Sequence, residues 1–249
     1  MTAIGRKVAR LEQRLTRPNA SLAELEAVVA LAMEHDCAAV TVNPWLVKAA
    51  KRTLGRSRLR LGTLIGSPSG TQILAVKAFE ASKALEQGAN QIDFVLNGGA
   101  LLSGDDEIVF NDMLAVVDMA HSALAVAGVV VEAEPMTADQ VSRACRIAER
   151  AGADYVITSA GDLAARKAVQ RTALLRDSVG PRVEVKASGR FRTLADVRAA
   201  AAAGATRVSA EFSAELLAAA AARATEADPM PESISPSSRR PRAIASRAS

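Results

Sequence analysis

Gly88-Ala89-Asn90-Gln91-Ile92-Asp93-Phe94-Val95-Leu96 decides the reading of the fold: a glycine-alanine step ends a helical stretch, and a short apolar run with one charge inside it follows. The same order returns at Gly152-Ala153-Asp154-Tyr155-Val156-Ile157-Thr158 and at Gly204-Ala205-Thr206-Arg207-Val208-Ser209-Ala210. Glycine accepts the left-handed backbone that closes a helix, so each copy marks a tight turn from helix into strand. Three copies at corresponding places indicate one repeating architecture.

Working outward, the runs Ala38 to Val42, Leu59 to Ile65, Gln91 to Leu96, Val129 to Ala133, Tyr155 to Thr158, Val183 to Ala187 and Arg207 to Ala210 predict seven strands separated by helical patterns. Ser21 with Glu24 has capping-box spacing ahead of Leu25, Val28, Val29 and Leu31, while Thr137 and Thr193 cap two later helices. Strands that alternate with helices build a parallel sheet covered by helices, which places the chain in the α/β class. With 249 residues, 49% of them apolar, it can bury one core of the size common to (β/α)8 TIM barrels. That fold needs an eighth strand. Leu11 to Thr16 is the available segment, although charge interrupts it and propensity alone reads it as helix.

Composition excludes several classes of function. The net charge of +4 is spread over helix faces and a C-terminal stretch containing Arg239, Arg240, Arg242 and Arg247, and no basic stripe is interleaved with aromatic residues. No nucleic-acid partner is therefore expected. Cys37 and Cys145 lack ligand spacing, which predicts neither a disulfide framework nor a zinc site, and no segment approaches the about 20 apolar residues that span a bilayer. A cytoplasmic protein without membrane association is expected. After Ala224 the chain turns rich in proline, serine and arginine, so residues 1–224 are assigned to the barrel and 225–249 to a disordered tail.

In such a barrel the site forms where the C-terminal ends of the strands meet the βα loops. Polar residues within otherwise apolar strands are informative there, because an unpaired buried charge is costly. Asp93, Glu132, Glu134, Lys186, Ser188 and Ser209 qualify. If Val183 and Val185 face the helices, strand alternation turns Glu184 and Lys186 into the barrel. An inward Asp93 either moves protons through water or neutralises a lysine as a structural ion pair. His35 and His121 fall in or beside helical stretches, which leaves no expected metal site, no cofactor and no serine or cysteine triad.

Several longer stretches resemble the deoxyribose-phosphate aldolase family. They are Leu64-Ile65-Gly66-Ser67-Pro68-Ser69-Gly70, Val76-Lys77-Ala78-Phe79-Glu80-Ala81, Gly88 through Asn97, and Gly99-Ala100-Leu101-Leu102-Ser103-Gly104-Asp105. The resemblance covers about residues 10 to 223 and implies a class I aldolase-like barrel. That family cleaves 2-deoxyribose 5-phosphate to acetaldehyde and glyceraldehyde 3-phosphate through a lysine Schiff base. Its first strand, Ile-Asp-His-Thr-Leu-Leu-Lys-Pro, is similar to Leu11-Glu12-Gln13-Arg14-Leu15-Thr16-Arg17-Pro18, which supplies the missing strand and puts Glu12 at the acid position.

The resemblance breaks at the nucleophile. In Gly152-Ala153-Asp154-Tyr155-Val156-Ile157-Thr158-Ser159-Ala160-Gly161 the Schiff-base lysine position is held by Ile157, whereas Lys186 keeps the family's second lysine and Asp93 its proton-relay aspartate. A free amine with a pKa of about 10.4 must lose its proton to attack a carbonyl, and a second ammonium nearby lowers that value. Isoleucine supplies neither nucleophile nor field. At the phosphate end, Ser188-Gly189-Arg190 stands where the family has Ser-Gly-Gly, and Glu211 after the last strand would repel a phosphate unless Arg190 compensates.

Two expectations follow. In one, Lys186 takes over Schiff-base formation, Asp93 with Glu12 or Glu132 handles protons, and Thr41, Thr158, Ser159, Ser188, Gly189, Arg190 and Ser209 contact a small phosphorylated sugar or aldehyde. In the other, the barrel is catalytically inactive and binds a metabolite or serves regulation, since a fold does not carry a function by itself. A homodimer is compatible with either.

Overall fold

The Ser21 hydroxyl accepts from the Glu24 amide while Glu24 accepts from the Ser21 amide, and helix α1 (Leu22–Glu34) begins at this reciprocal cap. Thr137 with Gln140 and Thr193 with Asp196 close the same box ahead of two later helices. Gly88, Gly152 and Gly204 all have positive φ, as the recurring turn from helix to strand requires. These local signals sit in a computed structural model that describes residues 10–132 and 136–225.

Eight parallel strands close into a barrel in chain order, each followed by at least one helix. They are β1 (Leu11–Leu15), β2 (Ala39–Val42), β3 (Arg60–Ile65), β4 (Gln91–Val95), β5 (Val126–Val130), β6 (Tyr155–Ile157), β7 (Glu184–Ser188) and β8 (Arg207–Ala210). Strand β1 forms despite its charges because Glu12, Gln13 and Arg14 all find partners across the sheet. It pairs with β2 on one side and with β8 on the other, where Leu11 registers with Val208 and Glu12 with Ser209.

Strand β5 is a correction. It begins at Val126, three residues before the expected start, and ends at Val130. Ala127 and Gly128 carry little strand propensity, so the apolar pattern starts late. Tertiary packing explains them: a Cβ on Gly128 would lie 2.0 Å from the Tyr155 ring, so the bare backbone makes room for that side chain.

The core is aliphatic. Val40, Val42, Ile65, Ile92, Val129, Val156, Val185 and Val208 are fully or almost fully buried, and so are helix residues such as Val29, Met113, Val141 and Val197. Lys77, on the helix Leu74–Glu86, is also completely buried and pairs with Asp112 of the helix Asp106–Ser122 at 2.6 Å while donating to the Val95 carbonyl. Among the described residues no helix is long and apolar enough to cross a membrane. The last helix, Ala214–Thr225, takes in the first residue of the expected tail; the rest of that tail, Ala133 and Glu134 lie outside the described residues.

Candidate active site

Lys186 leaves β7 for the barrel interior, as the alternation around Val183 and Val185 predicts, and its Nζ lies 2.5 Å from Glu12 Oε2 and 2.7 Å from Asp93 Oδ2. All three side chains are almost completely buried. Further contacts hold each carboxylate in place. Arg207 donates to Glu12 at 3.1 Å and to Glu184 at 2.7 Å, Gln91 donates to Glu12 at 3.1 Å, and the Tyr155 hydroxyl donates to Asp93 Oδ1 at 2.5 Å. Arg10 closes the lower end against Glu184.

Electrostatics follow from that packing. Burial alone would raise the Glu12 pKa, but the charges of Lys186 and Arg207 together with hydrogen bonds from Lys186 and Gln91 outweigh it and hold the carboxyl at about 2. Burial and the neighbouring Asp93 push the Tyr155 hydroxyl well above its ordinary value, with Arg207 opposing them only in part. Tyr155 is thus a hydrogen-bond donor to Asp93 throughout the physiological range. The guanidinium of Arg207 lies over the Tyr155 ring, 4.5 Å from its centroid.

Above this floor the walls differ in character. Leu64, Val130 and Ile157 form an apolar side that continues into Val95 and Tyr155, and Ile157 registers with Lys186 across β6 and β7. On the opposite side Arg14, Thr41, Ser188 and Ser209 face the same cavity. The cavity is narrow, with an empty volume of about 240 Å³ when its open mouth is included. Arg14 Nη1 donates to Ser188 Oγ at 2.7 Å and to the Gly161 carbonyl at 2.9 Å.

The remaining candidates divide. Ser159 lines the cavity and donates to Glu132 at 2.7 Å; Glu132 borders a second, wider cavity with an empty volume of about 680 Å³, lined also by Pro68, Leu96, Gly98 and Met136. Thr158 turns aside to bridge β6 and β7, with its hydroxyl donating to the Ser188 carbonyl and accepting from the Ser188 amide. The Gly189 amide is taken by the Ser209 carbonyl at 3.2 Å and the Arg190 amide by the Leu163 carbonyl at 2.7 Å, so the backbone donors at the phosphate end are already engaged. The Arg190 side chain points to Asp162 at 3.6 Å. Glu211 is paired with Arg17 at 2.9 Å, which removes much of the repulsion its charge would exert on a phosphate.

Sequence reasoning passed over Arg14, Tyr155, Gln91 and Arg207. Their shared signal is period-two placement: Arg14 follows the inward Glu12, Tyr155 precedes the inward Ile157, Gln91 precedes Asp93 and Arg207 precedes Ser209, each by two residues. His121 meets Asp154 at 2.9 Å away from this site, both cysteines are free and buried, and among the described residues no cluster of His, Cys, Asp and Glu could hold a metal.

Comparison with known proteins adds a family. The sequence profile of DeoC/LacD family aldolases matches residues 5–206. A deoxyribose-phosphate aldolase of Streptococcus gordonii is 40% identical over 200 residues, covering 80% of this chain and 90% of that protein. Another from Clostridium perfringens is 37% identical over 203 residues, covering 82% and 90%. The tetrameric deoxyribose phosphate aldolase structure from Aeropyrum pernix superposes with a TM-score of 0.75 at 26% identity, covering 88% of this chain and 92% of that one.

Proposed function

The chain belongs to the DeoC/LacD aldolase family, and from that membership we propose that it performs aldol cleavage with Lys186 as the reacting amine. The observation that supports this is the position of Nζ, which borders the cavity and touches two carboxylates, of which Asp93 is the one to take its proton. Once a proton has passed to Asp93, the nitrogen adds to a carbonyl carbon; the carbonyl oxygen takes that proton back together with one from the nitrogen and leaves as water, giving an iminium. The bond between the α and β carbons then breaks. Its electron pair moves into the iminium to form an enamine, and the β-hydroxyl yields its proton to a carboxylate and becomes the second aldehyde. Protonation of the enamine carbon and hydrolysis of the resulting imine return the amine.

In this reading Thr41, Ser159, Ser188 and Ser209 contact the substrate, Thr158 and Gly189 shape the strand ends, Glu132 assists through Ser159, and Arg190 meets an anionic group at the rim. The substrate named by the relatives, a deoxyribose phosphate, is the first to test. The free, buried Cys37 and Cys145 fit a reducing cytoplasm. Self-association belongs to the same reading, supported by Ile73, Val76 and Phe79, an exposed apolar row three residues apart.

A second reading, a binding barrel without catalysis, is favoured by the double clamp on Nζ together with the isoleucine opposite it. Attack requires one of the two carboxylate contacts to open. Borohydride reduction with acetaldehyde or 2-deoxyribose 5-phosphate, followed by peptide mass mapping, separates the two. An adduct on the Lys186 peptide supports the aldolase. Absence of adduct and turnover, with ligand-dependent thermal stabilisation, supports the binding protein.

A further inference from the structure

Three buried polar atoms on one side of the cavity have no hydrogen-bond partner among the described residues: Arg14 Nε, Thr41 Oγ1 and Ser209 Oγ. Arg14 is in register with Thr41 across β1 and β2, and Ser188 with Ser209 across β7 and β8, so four consecutive strands, β7, β8, β1 and β2, bring these groups to one wall. Buried donors normally find acceptors, and three orphans facing one void indicate that something else completes them.

Charge points the same way. Within the barrel, Lys186 is matched by Glu12 and Asp93, and Arg207 by Glu12 and Glu184. Among the described residues Arg14 has only Asp162 at 3.8 Å, and that carboxylate is 66% exposed whereas the arginine side chain is 9% exposed. Burial draws the Arg14 pKa below its ordinary value, and the surrounding carboxylates of Asp162, Glu211 and Asp93 only partly offset this. A guanidinium in this state lacks the anion that its desolvation calls for.

We propose that Arg14, with the hydroxyls of Thr41, Ser188 and Ser209, is an oxyanion subsite that receives the carboxylate of a short-chain aliphatic acid, its tail resting on Leu64, Val130 and Ile157. The apolar wall selects the tail, and a cavity of about 240 Å³ with its mouth included favours a small acid over a sugar phosphate. A 2-oxo acid is the member of this class that also presents a carbonyl to Lys186. In that respect alone the inference rests on the function proposed above.

Propionate cannot form an imine, so its binding tests the subsite independently of the amine. Isothermal titration of the full chain with formate, propionate, 2-oxobutyrate and inorganic phosphate is the measurement, repeated on Arg14→Gln, Arg14→Lys, Thr41→Val and Ser209→Ala. Propionate is expected to bind at least several-fold more tightly than formate. Arg14→Gln should weaken it tenfold or more, Arg14→Lys should recover part of the loss, and the two hydroxyl removals should each cost a few-fold. Should Arg14→Gln fail to fold, Arg14→Lys and Ser209→Ala carry the decision. An affinity unchanged within twofold in the variants, no binding of either propionate or 2-oxobutyrate, or phosphate bound in preference to both acids overturns the proposal. Propionate binding, with no borohydride-trapped adduct from acetaldehyde, 2-deoxyribose 5-phosphate or 2-oxobutyrate, would leave the subsite standing and remove the aldolase.

Discussion

Ile157 and Lys186 are register partners on β6 and β7, a hydrocarbon branch beside an amine that bridges Glu12 and Asp93. The position at which the resemblance implies a nucleophilic lysine is therefore part of the apolar wall, while the neighbouring lysine is tied down on both sides.

Ile157→Lys places a second amine next to the first. A new cation beside Lys186 favours loss of a proton from one of the pair, so borohydride trapping with acetaldehyde should shift to the residue 157 peptide and aldol cleavage should rise at least tenfold. Thermal stability should fall by about 2 kcal/mol or more, because the new polar head enters a buried apolar cluster. Unchanged cleavage in a folded variant would locate the remaining defect in the engaged amides of Gly189 and Arg190.

Acid should weaken the fold through Glu12. Its folded pKa of about 2 lies below the ordinary 4.5, so its stabilisation is complete above pH 4.5 and is lost as pH falls towards 2. Urea denaturation across that window should show a steeper decline for the natural chain than for Glu12→Gln. The variant should also be about 3–5 kcal/mol less stable at neutral pH, since Lys186 and Arg207 lose a buried partner.

Lys77→Met should cost about 3–5 kcal/mol by leaving Asp112 buried beside an apolar chain. Burial already raises the Asp112 pKa above its ordinary 3.8, against the pull of Lys77. A raised acid favours the folded state most when protonated, so the deficit should shrink as pH falls through the raised Asp112 pKa and be smallest below its ordinary 3.8. Lys77→Met with Asp112→Leu should recover most of the loss, and a double-mutant cycle by denaturant titration measures the coupling.

Gly128→Ala should destabilise by about 1–3 kcal/mol, because the added carbon overlaps the Tyr155 ring and forces it to shift. That shift breaks the hydroxyl contact to Asp93. Differential scanning calorimetry of Gly128→Ala, Tyr155→Phe and the pair checks this, with the double variant expected to be less destabilised than the sum.

The repeating helix, Gly-Ala and strand pattern made the barrel legible, and the caps at Ser21, Thr137 and Thr193 placed helix starts to the residue. Strand β1 needed the family resemblance, because its own residues satisfy their charges against β4, β7, β8 and the loop after β6, partners far away in sequence. The start of β5 was hidden for a related reason: Gly128 is explained by a ring 27 residues on. In the site, alternation along β7 was enough to turn Lys186 inward. Arg14 was illegible because a lone strand arginine gives no hint whether a carboxylate waits for it, and that answer depends on four strands at once.

The join between β1 and β8 has a further consequence. Gln13 and Phe212 exchange two hydrogen bonds of 2.9 Å across 199 residues, and Arg17 to Glu211 and Arg207 to Glu12 span similar separations. Contacts of such length are the slowest to form. Both the clamp on Lys186 and the seat built around Arg14 draw on β1, so a nascent chain has no working interior until its ring is shut. Circular permutants that make β1 and β8 neighbours in sequence should acquire ligand binding earlier in refolding than the natural order does.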